Sequence, residues 1–397
     1  MCAGILATLI LVVGAAGGLW ASVSLSSGQA EISDFYSWQG EIPREPGTLL
    51  RSTAYDGQTP EGSTAYLILY STTYSDGSAA VASAVVAVPD DPAEVATAVA
   101  WQHGTTGVTQ GCAPSLTADA LTEDSIPGIG EIVSRGWAVV ATDYPGQGTS
   151  GKYPYLVGEG EGRATLDGVR AAEELLAEDF AQVMLWGHSQ GGHATLWAAQ
   201  IADSYAPELT ITSVAALSSA SDPLALAQDI LSRGSSAVIP IITAYVLVPY
   251  AMEYDDIDLE AMARPGGVVI AEQVASRCAT SATGLVSVLS VSAAQSDGPL
   301  FDLDLSSGPA AERLAENIAS GDFSAPLFLG QGTDDEVIPL SIQRSLAENT
   351  CTTGHMVTER EYEGRTHMGV IASDSPLIDD LWSWVDSVLN GTVSSTC

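Results

Sequence analysis

Val183-Met184-Leu185-Trp186-Gly187-His188-Ser189-Gln190-Gly191-Gly192-His193-Ala194-Thr195-Leu196-Trp197-Ala198-Ala199-Gln200 reads as an apolar strand, a five-residue turn and a helix in direct succession. The first four residues are continuously apolar, as in a strand covered on both faces, and the run from His193 to Gln200 has helical composition. The turn between them has the pattern Gly-x-Ser-x-Gly. In a chain this rich in Gly and Ser the bare pattern arises by chance about 0.4 times, so its weight lies in the strand-turn-helix context. A reactive hydroxyl needs a sharp turn that lifts its oxygen clear of the sheet, and Gly187 and Gly191 let strand and helix approach while the serine backbone is strained. Ser189 is therefore a candidate nucleophile. The N–H of Gln190, at the start of the helix, is a candidate donor to a developing oxyanion. The structural alternative is a tight glycine turn with an idle serine.

Outward from this stretch, residues 97–101, 138–142, 211–217 and 327–329 are further short apolar strands, with helix-like runs at 165–176 and 376–389. Strand and helix in alternation predict an α/β fold with a mostly parallel central sheet covered on both sides. Residues 65–72 and 79–88 are β-rich and flank Asp76-Gly77, which predicts an antiparallel pair. About a hundred residues separate the strand ending near Leu217 from that at Leu327, far more than a connection needs. Residues 219–322 are therefore read as a helix-rich insertion, a cap whose apolar underside includes 237–250, a run too short and Pro-broken to span a bilayer. Residues 31–218 and 323–397 form the two parts of the α/β domain around it.

The chain has 13 Lys plus Arg against 49 Asp plus Glu, a net charge of −36, and Lys152 is its single lysine. That balance excludes nucleic acid and anionic membrane surfaces as natural partners. The acid is dispersed rather than blocked into a tail, which fits a solvated globular surface. Residues 3–25 are uncharged and apolar at their start, and Gly28-Gln29-Ala30 offers small residues for cleavage before Glu31, so 1–30 are read as a signal peptide or N-terminal anchor. Without Cys2, four cysteines are left, Cys112, Cys278, Cys351 and Cys397, none at metal or redox spacing. An even number in an exported chain predicts two disulfides with three open connectivities.

A serine becomes nucleophilic when a histidine takes its proton, and the histidine needs an acid to hold its tautomer. Of the five histidines, His103 belongs to a glycine turn, His188 lies within the elbow and off the nucleophile's line, His193 is on the following helix and His355 opens a late strand-like run. His367 is left, on a loop after Glu359-Arg360-Glu361-Tyr362-Glu363, as the base. The acid belongs on the loop after the preceding strand, where Asp334, Asp335 and Glu336 are adjacent; Asp335 is the first choice, Asp334 the alternative, and Glu336 is read as a helix-leading charge. His103-Gly104-Thr105-Thr106-Gly107 follows the strand ending at Trp101, where a second oxyanion donor belongs, with Thr105 the first choice and Thr106 the second. The order Ser, Asp, His is that of α/β-hydrolases and excludes the chymotrypsin and subtilisin orders.

The chain resembles the secretory lipase family of capped α/β-hydrolases. The resemblance rests on Phe35-Tyr36 with Pro46-Gly47, Cys112-Ala113-Pro114-Ser115, Leu166-Asp167-Gly168-Val169-Arg170-Ala171, the elbow through Trp197, Ser204-Tyr205-Ala206-Pro207-Glu208-Leu209, Asp335-Glu336-Val337-Ile338-Pro339 and His367. It implies a helical cap over an acyl tunnel, a Ser189–Asp335–His367 triad and disulfides Cys112–Cys278 and Cys351–Cys397. In one departure, Gly111 stands where fungal members carry an acidic residue before Cys-Ala-Pro-Ser. The expectation is a secreted carboxylic-ester hydrolase acting on esters or triacylglycerols, with lipid-surface contact through the cap and no need for a metal or organic cofactor. A short-chain esterase, an acyltransferase and a non-catalytic binding member of the fold are the alternatives.

Overall fold

Every strand after the first three antiparallel ones delivers its carboxyl end to one rim, and that rim organises the molecule. The computed structural model describes residues 29–90, 95–233, 238–279, 287–288, 290–292, 299–319 and 323–397. The expected leader, 1–30, lies outside these but for Gln29 and Ala30. The strands are β1 (Leu49–Ala54), β2 (Ser63–Thr73), β3 (Ala79–Pro89), β4 (Thr97–Gln102), β5 (Ala138–Thr142), β6 (Gln182–His188), β7 (Ile211–Leu217), β8 (Leu327–Gly332) and β9 (Val357–Tyr362). They form one sheet in the order β1-β2-β3-β5-β4-β6-β7-β8-β9. β1, β2 and β3 are antiparallel to one another, β3 meets β5 antiparallel, and the remaining pairs are parallel.

Helices α1 (Ile129–Ser134), α2 (Gly158–Leu176) and α3 (Gln190–Tyr205) precede the long segment between β7 and β8, called the insertion below, in which the described helices are α4 (Pro223–Ser232), α5 (Val238–Glu253), α6 (Leu259–Met262), α7 (Gly267–Ala275) and α8 (Pro309–Glu316). Helices α9 (Leu340–Thr352) and α10 (Pro376–Leu389) follow it. Alternation along β6 decides the layering. Val183 and Leu185 pack with Leu166, Leu196 and Leu346 from α2, α3 and α9, whereas Met184 and Trp186 pack with Ile129, Ile132, Leu381 and Trp384 from α1 and α10. All of β4 is buried, which is why its sequence is apolar without alternation. Truncating a fully buried residue such as Leu185 to Ala should cost about 2–5 kcal/mol.

Four elements escape the sequence reading in whole or in part, for physical reasons. Strand β1, Leu-Leu-Arg-Ser-Thr-Ala, is a half-exposed edge with no alternation to read. Helix α2 begins at Gly158, seven residues ahead of the expected 165, because glycines 158, 160 and 162 hide its propensity. At Gly158 a Cβ would collide with the Trp197 indole, so glycine here lets α2 close onto α3. Helices α1 and α9 are short or mixed in polarity and carry weak periodicity.

The segments that carry the family resemblance prove to be structural joints. Arg170 donates to Asp167 at 2.9 Å, to Glu208 at 2.6 Å and to the Tyr205 carbonyl at 2.8 Å, locking α2 to the end of α3. Tyr36 and Ser115 share a hydroxyl–hydroxyl bond of 2.7 Å. The disulfides are Cys112–Cys278, which ties the loop after β4 to the insertion, and Cys351–Cys397, which ties α9 to the last residues. Those last residues lie along the outer side of β9: Thr396 N–H donates to Val357 O at 2.7 Å and Thr358 Oγ1 donates to Ser394 O at 3.0 Å. Among the described residues no helix is long and apolar enough to cross a membrane.

Candidate active site

The turn between β6 and α3 holds Ser189 at φ 59° and ψ −120°, a left-handed conformation that costs a non-glycine residue of order 1–3 kcal/mol. The surroundings enforce it. Ser189 N–H donates to Leu217 O at 2.9 Å, and Ser189 O accepts from His193 N at 3.3 Å and Ala220 N at 3.1 Å. A Cβ on Gly191 would overlap the Gln102 carbonyl, and one on Gly187 the Gly191 carbonyl, so the turn closes only with glycine at both places.

His367, on the loop after β9, brings Nε2 to 2.9 Å from Ser189 Oγ. Its Nδ1 lies 3.0 and 2.9 Å from the two carboxylate oxygens of Asp335, on the loop after β8. A carboxylate only accepts, so Nδ1 carries the hydrogen and Nε2 turns its lone pair to the serine. Burial alone would raise the Asp335 carboxyl, but the hydrogen bond and charge of His367 and the Ile338 N–H hold it below the usual carboxylate range. Val337 and Ile338 N–H donate to its Oδ1 at 3.0 and 2.8 Å.

The neighbouring acids do different work. Asp334 is exposed, and its N–H donates to Arg365 O at 3.0 Å. Glu336 corrects the sequence reading: helix α9 starts only at Leu340, and instead of leading a helix the Glu336 carboxylate accepts from the His367 backbone N–H at 3.2 Å. The reason is the tight Asp335-to-Ile338 turn, which folds Glu336 back against the histidine loop.

Of the remaining histidines, His103 is buried with Nδ1 2.6 Å from Gly104 O, its ring against Tyr144, and burial lowers its pKa to about 4. His193 is buried against Glu161, and His355 packs on Phe323. His188, off the nucleophile's line in the sequence reading, has a role that reading missed. Its Nε2 is 3.0 Å from the His367 carbonyl oxygen. No periodicity or spacing signals a contact between residues so far apart in the chain.

For the oxyanion candidates, Gln190 has its side chain buried and tied to Tyr153 OH at 2.6 Å and Glu161 Oε1 at 2.8 Å. The 103–107 turn abuts Ser189, since a Cβ on Gly104 would stand 3.4 Å from Ser189 Cβ. Thr105 Oγ1 pairs with Tyr155 OH at 2.8 Å, Thr106 Oγ1 accepts from Gln147 at 3.0 Å, and Thr106 O accepts from Ala279 N–H of the insertion at 2.7 Å. Ser189, Gln190, His367, Thr105 and Thr106 all border a cavity of about 580 Å³. Leu226, Ile230, Ile241, Ile242, Tyr245 and Val246 of the insertion make its apolar wall. Asp143 also borders it, accepting from Ser115 N–H at 3.0 Å and Ser83 Oγ at 2.6 Å, and burial pushes its pKa up to about 6. Among the described residues no three His, Cys, Asp or Glu cluster to hold a metal ion.

A parallel sheet with its serine at a strained strand-to-helix turn, and with acid and histidine on the loops after the last two strands, defines the α/β-hydrolase fold. The chain belongs to the secretory lipase family, whose model matches residues 122–395. In three dimensions it is similar to Candida antarctica lipase A in its closed state, at a TM-score of 0.72 and 22% identity, covering 92% of this chain and 87% of that one. It is also similar to the rice cell wall degrading esterase LipA from Xanthomonas oryzae, at a TM-score of 0.67 and 23% identity over 87% of this chain and 97% of that one. In sequence, a probable inactive lipase from Mycobacterium tuberculosis is 32% identical over 182 residues, 42% of this chain and 40% of that protein. Lipase A from Moesziomyces aphidis is 34% identical over 158 residues, 37% of this chain and 33% of that one. The chain thus spans less than half the length of these two relatives. Lipase 6 of Candida albicans is 26% identical over 395 residues, 90% of this chain and 81% of that one.

Proposed function

We propose that the chain is an exported serine carboxylic-ester hydrolase of the triacylglycerol lipase type, working through Ser189, His367 and Asp335. The observation that carries this is the unbroken hydrogen-bonded relay from Asp335 through His367 to Ser189 Oγ at the edge of an apolar cavity. His367 Nε2 removes the Ser189 proton as Oγ attacks the ester carbonyl, and Asp335 stabilises the imidazolium that forms. The oxyanion is received by the N–H of Gln190 with that of Thr105, or of Thr106 in its place. The tetrahedral intermediate then expels the alcohol, which takes the proton from His367, and leaves an acyl group on Ser189. Water, deprotonated by the same histidine, releases the acid. Residues 219–322 act as the cap, with the α5 residues on the cavity wall bedding the acyl chain. The leader 1–30 directs export, in keeping with the family.

Ser189→Ala should abolish turnover of p-nitrophenyl esters, and a fluorophosphonate should label the native chain at Ser189. More than a few per cent of the rate in the variant would overturn the assignment. An unlabelled, inactive native chain would instead support a non-catalytic member, a reading that the name of the Mycobacterium relative keeps in view. A profile across butyrate to palmitate esters separates the lipase from a short-chain esterase, and product partition with an added alcohol separates either from an acyltransferase.

A further inference from the structure

Beside the nucleophile turn lies a wholly buried polar cluster for which the proposed reaction has no use. Glu161 on α2 and His193 on the first turn of α3 are both fully buried, with Glu161 Oε2 2.8 Å from His193 Nδ1. The other ring nitrogen of His193 is 2.7 Å from the carbonyl oxygen of Asn317, just past α8 in the insertion. A carbonyl only accepts, so Nε2 bears a hydrogen, and a further proton lies between Nδ1 and the carboxylate. The second oxygen of Glu161 accepts from the backbone N–H of Leu156 at 2.9 Å and from the Gln190 side-chain amide at 2.8 Å. Leu156, Gln190 and His193 therefore each share a hydrogen bond with the Glu161 carboxyl group, whose two oxygens are both engaged.

Asn317 extends the cluster into the insertion. Its Oδ1 accepts from Gly158 N–H at 2.8 Å, and its Nδ2 donates to Tyr254 OH at 2.8 Å, just beyond the helix that lines the cavity. Apolar side chains of similar volume would fill such a space at equal or better stability, so stability alone does not call for a polar cluster here. What the cluster adds is direction. Among the described residues of this network Gln190 is the one within the Gly187-to-Gly191 turn, directly after Ser189, and His193 touches that turn through its N–H to Ser189 O.

We propose that Glu161 is a positioning residue: by holding the Gln190 side chain it fixes the orientation of the Gln190 backbone N–H toward the oxyanion, and His193 and Asn317 hold Glu161 in register with the insertion. This rests on the reading of Gln190 as an oxyanion donor. An oxyanion donor acts at fixed distance, and a small tilt weakens it in the transition state while leaving ester binding unchanged.

The test uses the full chain and p-nitrophenyl butyrate. Glu161→Gln is nearly isosteric, and it should lower kcat about tenfold with KM within about twofold. Binding of a trifluoromethyl ketone, which forms a reversible tetrahedral adduct, should weaken by the same factor as kcat/KM. Gln190→Met keeps the backbone N–H and removes the side-chain amide; it should show the same loss, and the double variant should be no worse than either single one. Independent, multiplying losses would overturn the proposal, as would an E161Q enzyme of native kcat whose only defect is a lower Tm. If E161Q does not fold, Gln190→Met at native kcat overturns it alone. Failure of the hydrolase reading is distinct, because then the native chain itself neither turns over ester nor takes the fluorophosphonate label.

Discussion

The imidazoles of His188 and His367 pack against each other with 4.6 Å between ring centroids, and His188 Nε2 reaches the carbonyl oxygen of His367. The carbonyl can only accept, so His188 donates, and the residue before Ser189 braces the loop that carries His367, the proposed base. Burial and then the neighbouring charge of His367 lower the His188 pKa to about 3. The brace thus stays neutral over the range in which an esterase works.

Replacing this donor should loosen the base without removing it. His188→Leu is expected to lower kcat on p-nitrophenyl butyrate by about tenfold and to slow fluorophosphonate labelling of Ser189 in parallel, since a misplaced catalytic group loses rate steeply with distance. Native labelling kinetics in a folded variant would show the brace to be dispensable.

The three adjacent acids separate by substitution. Asp335→Asn leaves the shape but presents the wrong hydrogen-bonding partner to His367 Nδ1, and kcat should fall by roughly 10³–10⁴. Asp334→Asn should stay within about threefold of native, because His367 Nδ1 is bonded to Asp335 while Asp334 is exposed, and such exposed changes have small effects. Steady-state kinetics on the two purified variants decide which carboxylate is the acid.

Asp143 should leave a signature in the pH dependence of stability. Its folded pKa of about 6 lies above the unfolded carboxylate value, so its favourable contribution is complete below about pH 4 and disappears as pH rises through 6. Asp143→Asn removes this titration, and the stability of the variant relative to native should rise by roughly 3 kcal/mol between pH 4 and 7, on about 1.4 kcal/mol per unit. His103, lowered to about 4, and His188 act with the opposite sign, losing stability as pH falls below the ordinary histidine range. Urea unfolding of both proteins across that interval reads the difference, and parallel curves would contradict it.

The disulfides differ in what they hold. Cys112–Cys278 closes a span of 166 residues and Cys351–Cys397 one of 46, worth roughly 5 and 4 kcal/mol in the chain-entropy account. Serine at the first pair should lower both Tm and kcat, because Cys278 is followed by the Ala279 N–H that holds the Thr106 carbonyl. Serine at the second pair should lower Tm with kcat unchanged at a temperature where the protein is folded. Equal kinetic losses in the two would show that the first has no special hold on the turn.

Much of this candidate site was legible in local sequence because strand, sharp turn and helix are compressed into a dozen residues around Ser189. That Asp335 and His367 come together with Ser189 was expected from chain order and from their place after strands, a rule of topology rather than of spacing. The Glu336 contact was not legible, since it depends on how tightly the loop after β8 folds back. Nor were His188 and Glu161, whose partners lie across 179 and 32 positions and are chosen by packing alone. Helix α2 was read short for a related reason, because Gly158 at its start answers to the neighbouring Trp197 indole more than to the helix itself. The half-exposed β1 had too little alternation to announce itself.

Residues Ser394 to Thr396 occupy the free side of β9, where Thr396 bonds Val357 and Cys397 pins the strip to α9. A sheet whose last strand is left bare offers a ladder onto which another molecule can add. This short selvage closes that ladder. Reduction of Cys351–Cys397 would therefore expose the molecule to edge-wise self-association well before its core is lost, and the damage would begin at the border of the sheet farthest from β1.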